Sequence, residues 1–292
     1  FHQEFGFVRE LFDMAEEISR INLRQLCFKG PMEELTHTVN LQPAVTVVNL
    51  AFLAAVQRET GKPAVSAGHS LGEYSALNAA GVVSAEDAIR LVHKRGELMH
   101  REAIKNKGAM SALLGLTVDE VEEIVERGRE RGVVSVANHN TAQQIVITGE
   151  PAAVAAVAAY AAEKGAKAIP LKVSGAWHSE LIRGAEEDFK AFLQTIAFNS
   201  PQSAVVFNVT ADTESDPDEI RAVMSRQLCS PVKWCDSMKK LVEEEIEIFV
   251  EIGPGKVLTG LLRKNLPKDY PATVFNVNDL TTFENFIKLG SR

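Results

Sequence analysis

Apolar positions along the chain change period several times, and the changes outline a mixed α/β protein. Val8, Leu11, Phe12, Ala15 and Ile18 share one face of a helix predicted over 7–21. Residues 42–60 are apolar around most of the circumference, which predicts a long helix buried on several sides. Gly61-Lys62-Pro63 ends it, and Ala64-Val65-Ser66-Ala67 reads as a short apolar strand. Helices are predicted over 70–80 and 84–103, the second opening on Ser84 as N-cap with Asp87 at the capping-box distance.

From Gly108 the texture changes. Strand patterns at 109–116, 133–138, 143–149 and 168–173 are interleaved with a charged helix at 118–131 and an Ala-rich helix at 151–164. This β-α-β-β-α-β order is that of a ferredoxin-like unit. It interrupts two α/β stretches, so we expect a smaller subdomain at 109–175 inserted into a larger one formed by 1–108 and 176–292. After the insertion the pattern predicts a helix at 179–195, a strand at 205–208, helices at 216–228 and 233–244, and a strand at 248–252.

Composition narrows the function. The 292 residues are 46% hydrophobic and 24% charged, ordinary for a globular enzyme. The formal net charge of −8 and the scatter of basic residues argue against a nucleic-acid surface, which needs clustered Lys and Arg. An acidic protein partner would require a local basic patch despite this balance. Cys27, Cys229 and Cys235 show no CxxC spacing, so we expect neither a disulfide framework nor a zinc site, and a reducing cytoplasmic compartment. We see no signal peptide, and no apolar run that approaches the ~20 residues of a membrane span.

Candidate chemistry centres on Gly68-His69-Ser70-Leu71-Gly72, a G-x-S-x-G pattern between a predicted strand and a predicted helix. A serine on such a sharp turn projects its hydroxyl, and the N–H of Leu71 at the helix start is a natural oxyanion donor. Of the seven histidines, His178 follows a strand and the loop Ser174-Gly175-Ala176-Trp177, a position where catalytic residues gather. His69 adjoins the serine but is expected to point away from its hydroxyl. Asp188 and Asp212 are the available acids, and neither stands out; a backbone carbonyl would serve equally to orient an imidazole Nδ1–H. Arg95 lies mid-helix among apolar residues, where a guanidinium needs a counter-charge. Glu73, Glu97 or a substrate carboxylate would each provide one.

The run Gly68-His69-Ser70-Leu71-Gly72-Glu73-Tyr74-Ser75-Ala76-Leu77 closely resembles the nucleophile segment of malonyl-CoA:acyl-carrier-protein transacylases and of the acyltransferase domains of fatty-acid and polyketide synthases. The resemblance extends along most of the chain. Leu41-Gln42-Pro43-Ala44 is similar to the family's T-Q-P-A helix start, with Leu in place of Thr. Arg95-Gly96 with Met99, Gly108-Ala109-Met110, Asn138-His139-Asn140, Ser174 with His178-Ser179, Arg226-Gln227-Leu228 through Pro231-Val232 to Trp234, and Glu251 through Gly253-Pro254-Gly255 to Leu258 follow in the family's order.

The resemblance implies an α/β fold, with an α/β-hydrolase-like larger subdomain carrying the ferredoxin-like insert. It implies that Ser70 takes a malonyl group from malonyl-CoA, that His178 deprotonates it, and that Leu71 N–H stabilises the oxyanion. Arg95 would clamp the malonyl carboxylate, and Gln42, His69, Asn138 and Trp177 would line the substrate site, with Trp177 crowding a 2-methyl branch. The carbonyl that supports His178 is expected near Gly253-Pro254-Gly255. The second substrate would be the phosphopantetheine thiol of acyl carrier protein, in fatty-acid synthesis, with no permanently bound cofactor or metal and a monomeric enzyme. Arg183, Lys233 and Lys256 are candidates for a basic docking face. The family also has an N-terminal strand and a G-Q-G-S-Q loop bearing a second oxyanion donor; this sequence starts after them, and we expect it to be incomplete there. Two other readings use the same residues. A thioesterase or esterase predicts a dedicated acid and no arginine clamp, and a non-catalytic docking domain predicts a serine that never acquires an acyl group.

Overall fold

The computed structural model describes residues 1–290. The chain opens with helices α1 (Gly6–Ser19), α2 (Leu23–Lys29), α3 (Met32–Thr36) and the long α4 (Thr38–Thr60). Strand β1 (Val65–Ala67), α5 (Gly72–Ala79) and α6 (Ala85–Lys105) follow. Next come β2 (Ala109–Leu114), α7 (Val118–Gly128), β3 (Val134–Thr141), β4 (Gln144–Gly149), α8 (Pro151–Glu163) and β5 (Lys167–Pro170). The remainder is α9 (Gly184–Leu193), β6 (Ala204–Val206), α10 (Pro217–Arg226), α11 (Trp234–Glu243), β7 (Ile248–Ile252), α12 (Val257–Asn265), β8 (Thr273–Val277) and α13 (Leu280–Gly290).

The apolar periodicities translate directly into packing. Val8, Phe12 and Ala15 of α1 are buried, and α1 packs against α4 and α6. Helix α4 is long and apolar enough to cross a membrane by length and composition, which the run-length expectation had missed. Here it is a core helix: 67% of its apolar window is buried, against α1, α5, α6 and α13. It starts at Thr38, four residues before the predicted start, so Pro43 lies inside it rather than at its entry. In the larger part, β1 pairs in parallel with β6 and β7 in parallel with β8.

In the smaller part the sheet order is β3-β4-β2-β5, every neighbour antiparallel, which is the ferredoxin-like arrangement. Leu113, Ile145 and Ile147 on one face pack with Val121 and Val125 of α7 and Val154 and Val157 of α8. The other face presents Met110, Ala112, Ala137 and Val146 to Trp177. A backbone seam joins the two parts: His139 N–H donates to Val232 O at 2.9 Å, and Val232 N–H to Ala137 O at 2.8 Å.

Two predicted elements differ near the site. Strand β5 ends at Pro170, not at 173, and the chain to His178 runs on as irregular backbone. The helix expected from 179 is delayed: the Ser179 hydroxyl accepts Leu181 N–H, a single 3₁₀ turn spans Glu180–Ile182, and α9 begins only at Gly184. Gly108, at the foot of β2, lies so close to this irregular segment that an added Cβ would sit 2.3 Å from Ala176 N. Gly108→Ala is therefore expected to lower the unfolding free energy by about 1–3 kcal/mol, the cost of overpacking, in a urea titration followed by circular dichroism; wild-type stability would mean that the segment yields freely.

Candidate active site

Ser70 sits between β1 and α5 with φ at 50°, a left-handed conformation that costs a non-glycine residue about 1–3 kcal/mol unless its surroundings hold it. They hold it from both sides. Asn208, just beyond β6, accepts Ser70 N–H on Oδ1 at 2.6 Å and donates from Nδ2 to Gly68 O at 2.7 Å. Gln227 donates from Nε2 to Ser70 O at 2.9 Å. Gly68 is required by contact, because a Cβ there would lie 2.0 Å from the carbonyl carbon of Gly72. Gly72 itself meets nothing within 4 Å of such a Cβ, so only the first glycine of the pattern is sterically demanded. Leu71 N–H makes no hydrogen bond among the described residues and lies at the entrance of α5.

His178 faces this elbow. Its Nε2 is 2.8 Å from Ser70 Oγ, and its Nδ1 is 3.1 Å from Gln227 O and 3.0 Å from Ser230 O. Two carbonyl acceptors at Nδ1 assign the proton there and leave Nε2 as the acceptor of the serine proton. The supporting carbonyls are thus not at Gly253-Pro254-Gly255. They come from the turn after α10, where helix-end carbonyls lack an intrahelical donor and are free to accept. The glycine loop packs on α4 instead, so tightly that a Cβ on Gly253 would be 2.1 Å from Asn49 Oδ1. Glu251 caps α12 through Leu258 N–H and Thr259 N–H. Among the described residues no acid stands behind the imidazole: Asp188 pairs with Arg101, and Asp212 with Lys240, both at the surface. Burial, reinforced by the positive charge of Arg95 and by His69, pulls the His178 pKa from 6.5 to about 3, against the two carbonyl bonds.

Arg95, on α6, is only 2% exposed. Its Nε donates to Gln227 Oε1 at 3.2 Å, Nη1 to Gln42 Oε1 at 2.9 Å, and Nη2 to Ser70 Oγ at 3.0 Å. The guanidinium also lies 5.7 Å from the centre of the Tyr74 ring. Neither glutamate considered from the sequence forms a salt bridge with it. Glu97 is half exposed and lies near Lys94 and His93. Glu73 accepts Asn208 N–H at 2.8 Å and Gln227 Nε2 at 2.6 Å. The positive fork is therefore held by neutral acceptors and aimed at the serine hydroxyl.

Gln42 is buried, and its Nε2 donates to Met99 Sδ at 3.2 Å. His69 contacts Asn140 Oδ1 through Nε2 at 2.8 Å and packs beside Trp234; burial lowers its pKa. The β3 residue that reaches the elbow segment is thus Asn140, while Asn138 is buried and bridged to Val232. Trp177 is half-buried where the two parts meet. Arg183, Lys233 and Lys256 are exposed. His139, Cys235 and Asp236 bring metal-capable atoms within 4.8 Å of one another, but Asp236 is bonded to Lys239 at 2.8 Å and none of the three contacts the Ser70–His178 pair. Asn208 lies in none of the sequence patterns, and Glu73, Asn140 and Gln227 lie within them without having been expected in the roles that the structure gives them.

Residues 8–281 match the acyl transferase domain family. The chain belongs to that family. Within it, this acyl transferase domain is 41% identical over 265 residues to the malonyl CoA-acyl carrier protein transacylase of Bacillus subtilis, covering 90% of this chain and 84% of the relative. It is 40% identical over 262 residues to the enzyme of that name from Escherichia coli K12, covering 89% and 85%. Among solved structures, a malonyl-transacylase in complex with its type II polyketide acyl-carrier protein superposes with a TM-score of 0.93 at 35% identity, covering 99% of this chain and 93% of that one.

The depressed pKa gives this acyl transferase domain a signed pH behaviour. The unfolded chain binds a proton on His178 below pH 6.5, whereas the folded chain does so only near 3, so this contribution to stability is lost as pH falls across that window. Nitrogen-15 NMR of the imidazole is expected to show a neutral, Nδ1-protonated ring at pH 5; an imidazolium signal there would contradict the geometry.

Proposed function

We propose that this chain transfers a malonyl group from coenzyme A to the phosphopantetheine thiol of acyl carrier protein, supplying fatty-acid synthesis. The observation that carries the reading is the buried Arg95 guanidinium, with no carboxylate partner among the described residues and 3.0 Å from the serine that would bear the acyl group. A site prepared in this way favours an acyl group ending in a carboxylate, which a planar fork can hold by two charge-assisted bonds. Ser70 attacks the malonyl thioester while His178 Nε2 accepts its proton. The carbonyl oxygen becomes an oxyanion beside the free Leu71 N–H. Collapse breaks the carbon–sulfur bond, His178 returns the proton to the coenzyme A thiolate, and malonyl remains as an ester on Ser70. Throughout, Arg95 holds the malonyl carboxylate, having turned to it from the serine oxygen as malonyl-CoA binds. In the second half the phosphopantetheine thiol gives its proton to His178 and attacks the ester; the bond between the acyl carbon and the Ser70 oxygen breaks, and His178 returns the proton to that oxygen. Gln42 keeps the guanidinium oriented, His69 with Asn140 backs the elbow, Asn138 belongs to the seam beneath the acyl pocket, and Trp177 narrows that pocket. Arg183, Lys233 and Lys256 offer exposed positive charge to an acidic carrier.

Intact-protein mass spectrometry after brief exposure to malonyl-CoA tests the reading. A malonyl adduct on Ser70 is expected, passing to added acyl carrier protein rather than to water. Arg95→Ala should slow its formation about 10²-fold or more, the loss of two charge-assisted bonds of roughly 1.5–3 kcal/mol each. Free malonate as the main product would favour a hydrolase, and no adduct at all a docking domain. His178→Ala is expected to slow acylation by on the order of 10²–10⁴, as for loss of a general base; retention of the wild-type rate would remove it from the mechanism.

A further inference from the structure

Glu73 is 0% exposed, and Asn208 and Gln227 are 1% exposed, so no water substitutes for the bonds among them. The carboxylate divides its two oxygens between them: Oε1 accepts Asn208 N–H and Oε2 accepts Gln227 Nε2. Each partner then holds one side of the Ser70 elbow, Asn208 the N–H and Gln227 the carbonyl. Gln227 also presents Oε1 to two donors, Arg95 Nε and Tyr74 OH, both at 3.2 Å. A carboxamide can be turned end for end, but here only one orientation works. Reversed, its NH₂ would meet the guanidinium donors and its oxygen would meet the Glu73 carboxylate.

We propose that Glu73 is a positioning residue: by fixing the orientation of Gln227 and the place of Asn208, it sets both the Ser70 elbow and the Arg95 clamp. It also balances the buried positive charge from one residue away, so the guanidinium fork stays open for an incoming carboxylate. The inference rests on the malonyl-transfer reading of Ser70 and Arg95 and adds to it a residue that touches neither substrate nor reacting atoms. Burial raises the Glu73 pKa from 4.5 to about 7, opposed by its bonds to Asn208 and Gln227 and by Arg95. Arg95 from α6, Tyr74 on α5 itself and His178 from the segment after β5 are the titratable groups around it, and of these only Arg95 is charged near neutrality. Protonating Glu73 turns one acceptor into a donor, as does Glu73→Gln.

The test is acylation kinetics of wild type, Glu73→Gln and Asn208→Ala with malonyl-CoA and acetyl-CoA, each across pH 5.5–8.5, with thermal melts alongside. Glu73→Gln is expected to lower kcat/KM for malonyl-CoA by on the order of 10²-fold, the effect of a small misplacement of reacting groups. It should lower the malonyl-to-acetyl ratio as well, and abolish a fall in wild-type acylation as pH drops through about 7. Asn208→Ala, which loosens the elbow but leaves the clamp, should slow both donors by the same factor and keep that ratio. A folded Glu73→Gln with kcat/KM, ratio and pH profile all like wild type would overturn the proposal. If Glu73→Gln does not fold, a folded Asn208→Ala acting at the wild-type rate would overturn it equally. Failure of the wild type itself to acquire malonyl on Ser70 is a different result, and would remove the underlying functional reading instead.

Discussion

A guanidinium taken out of water without a carboxylate beside it is the condition around which this site is organised. Desolvating such an ion costs several kcal/mol, recovered only through good geometry and bonds to its donors. Arg95 recovers part through Gln227, Gln42 and Ser70, and part through the face of Tyr74. The flanking α6 residues Leu91, Val92, Leu98 and Met99 are all buried and keep water away. The nearest compensating carboxylate, Glu73, acts through Gln227. A direct pair would have stabilised the resting protein more and left nothing for a substrate to complete. On the proposed reading malonyl would supply the missing anion, whereas acetyl would displace the hydroxyl contact and leave the cation unpaired.

The same charge accounts for an imidazole that has no acid behind it among the described residues. An aspartate behind His178 would raise its basicity, but it would also place a second negative charge in a small, dry volume where Arg95 must stay available to the substrate. Two backbone carbonyls orient the ring without that competition. The result is an imidazole held neutral well below its ordinary pKa, and a weak base. Two features would offset the weakness: the positive charge of Arg95 beside the serine oxygen favours its ionised form, and a thioester is an electrophile that needs less from its attacker.

How far the sequence could be read follows from what kind of atom does each job. The elbow was legible because a left-handed serine beside a glycine in van der Waals contact with the next turn has a short, contiguous pattern. The ferredoxin-like unit was legible because its six elements alternate cleanly between the two periods, and the sheet order follows from them. The carbonyls of Gln227 and Ser230 were not legible, since a backbone oxygen carries no residue identity. The loop Gly253-Pro254-Gly255, where the sequence pattern led us to expect them, packs on Asn49 and does not touch the imidazole. Asn208 lies 138 residues from Ser70, and Gln227 132 from Arg95; bonds that close across such distances leave no periodicity to detect. In Asn138-His139-Asn140 the pattern located the segment, but β3 bulges there, so alternation alone does not tell which asparagine reaches His69.

That bulged strand points to the last constraint. Ser70 and His178 both occupy left-handed backbone, and each is held there by parts of the chain that are remote in sequence. Ser70 is gripped from within the larger part. The segment that carries His178 is seated against the smaller one, with Ala176 against Gly108 and Trp177 on the sheet face of Met110, Ala112 and Val146. The His139–Val232 seam keeps the two parts in register beside the turn that orients the imidazole. Ser70 and His178 both belong to the larger part, but the segment that carries His178 takes its place by packing on the smaller one. The sheet of the inserted unit therefore helps to fix where His178 stands relative to Ser70, as the grip of Asn208 and Gln227 fixes the elbow.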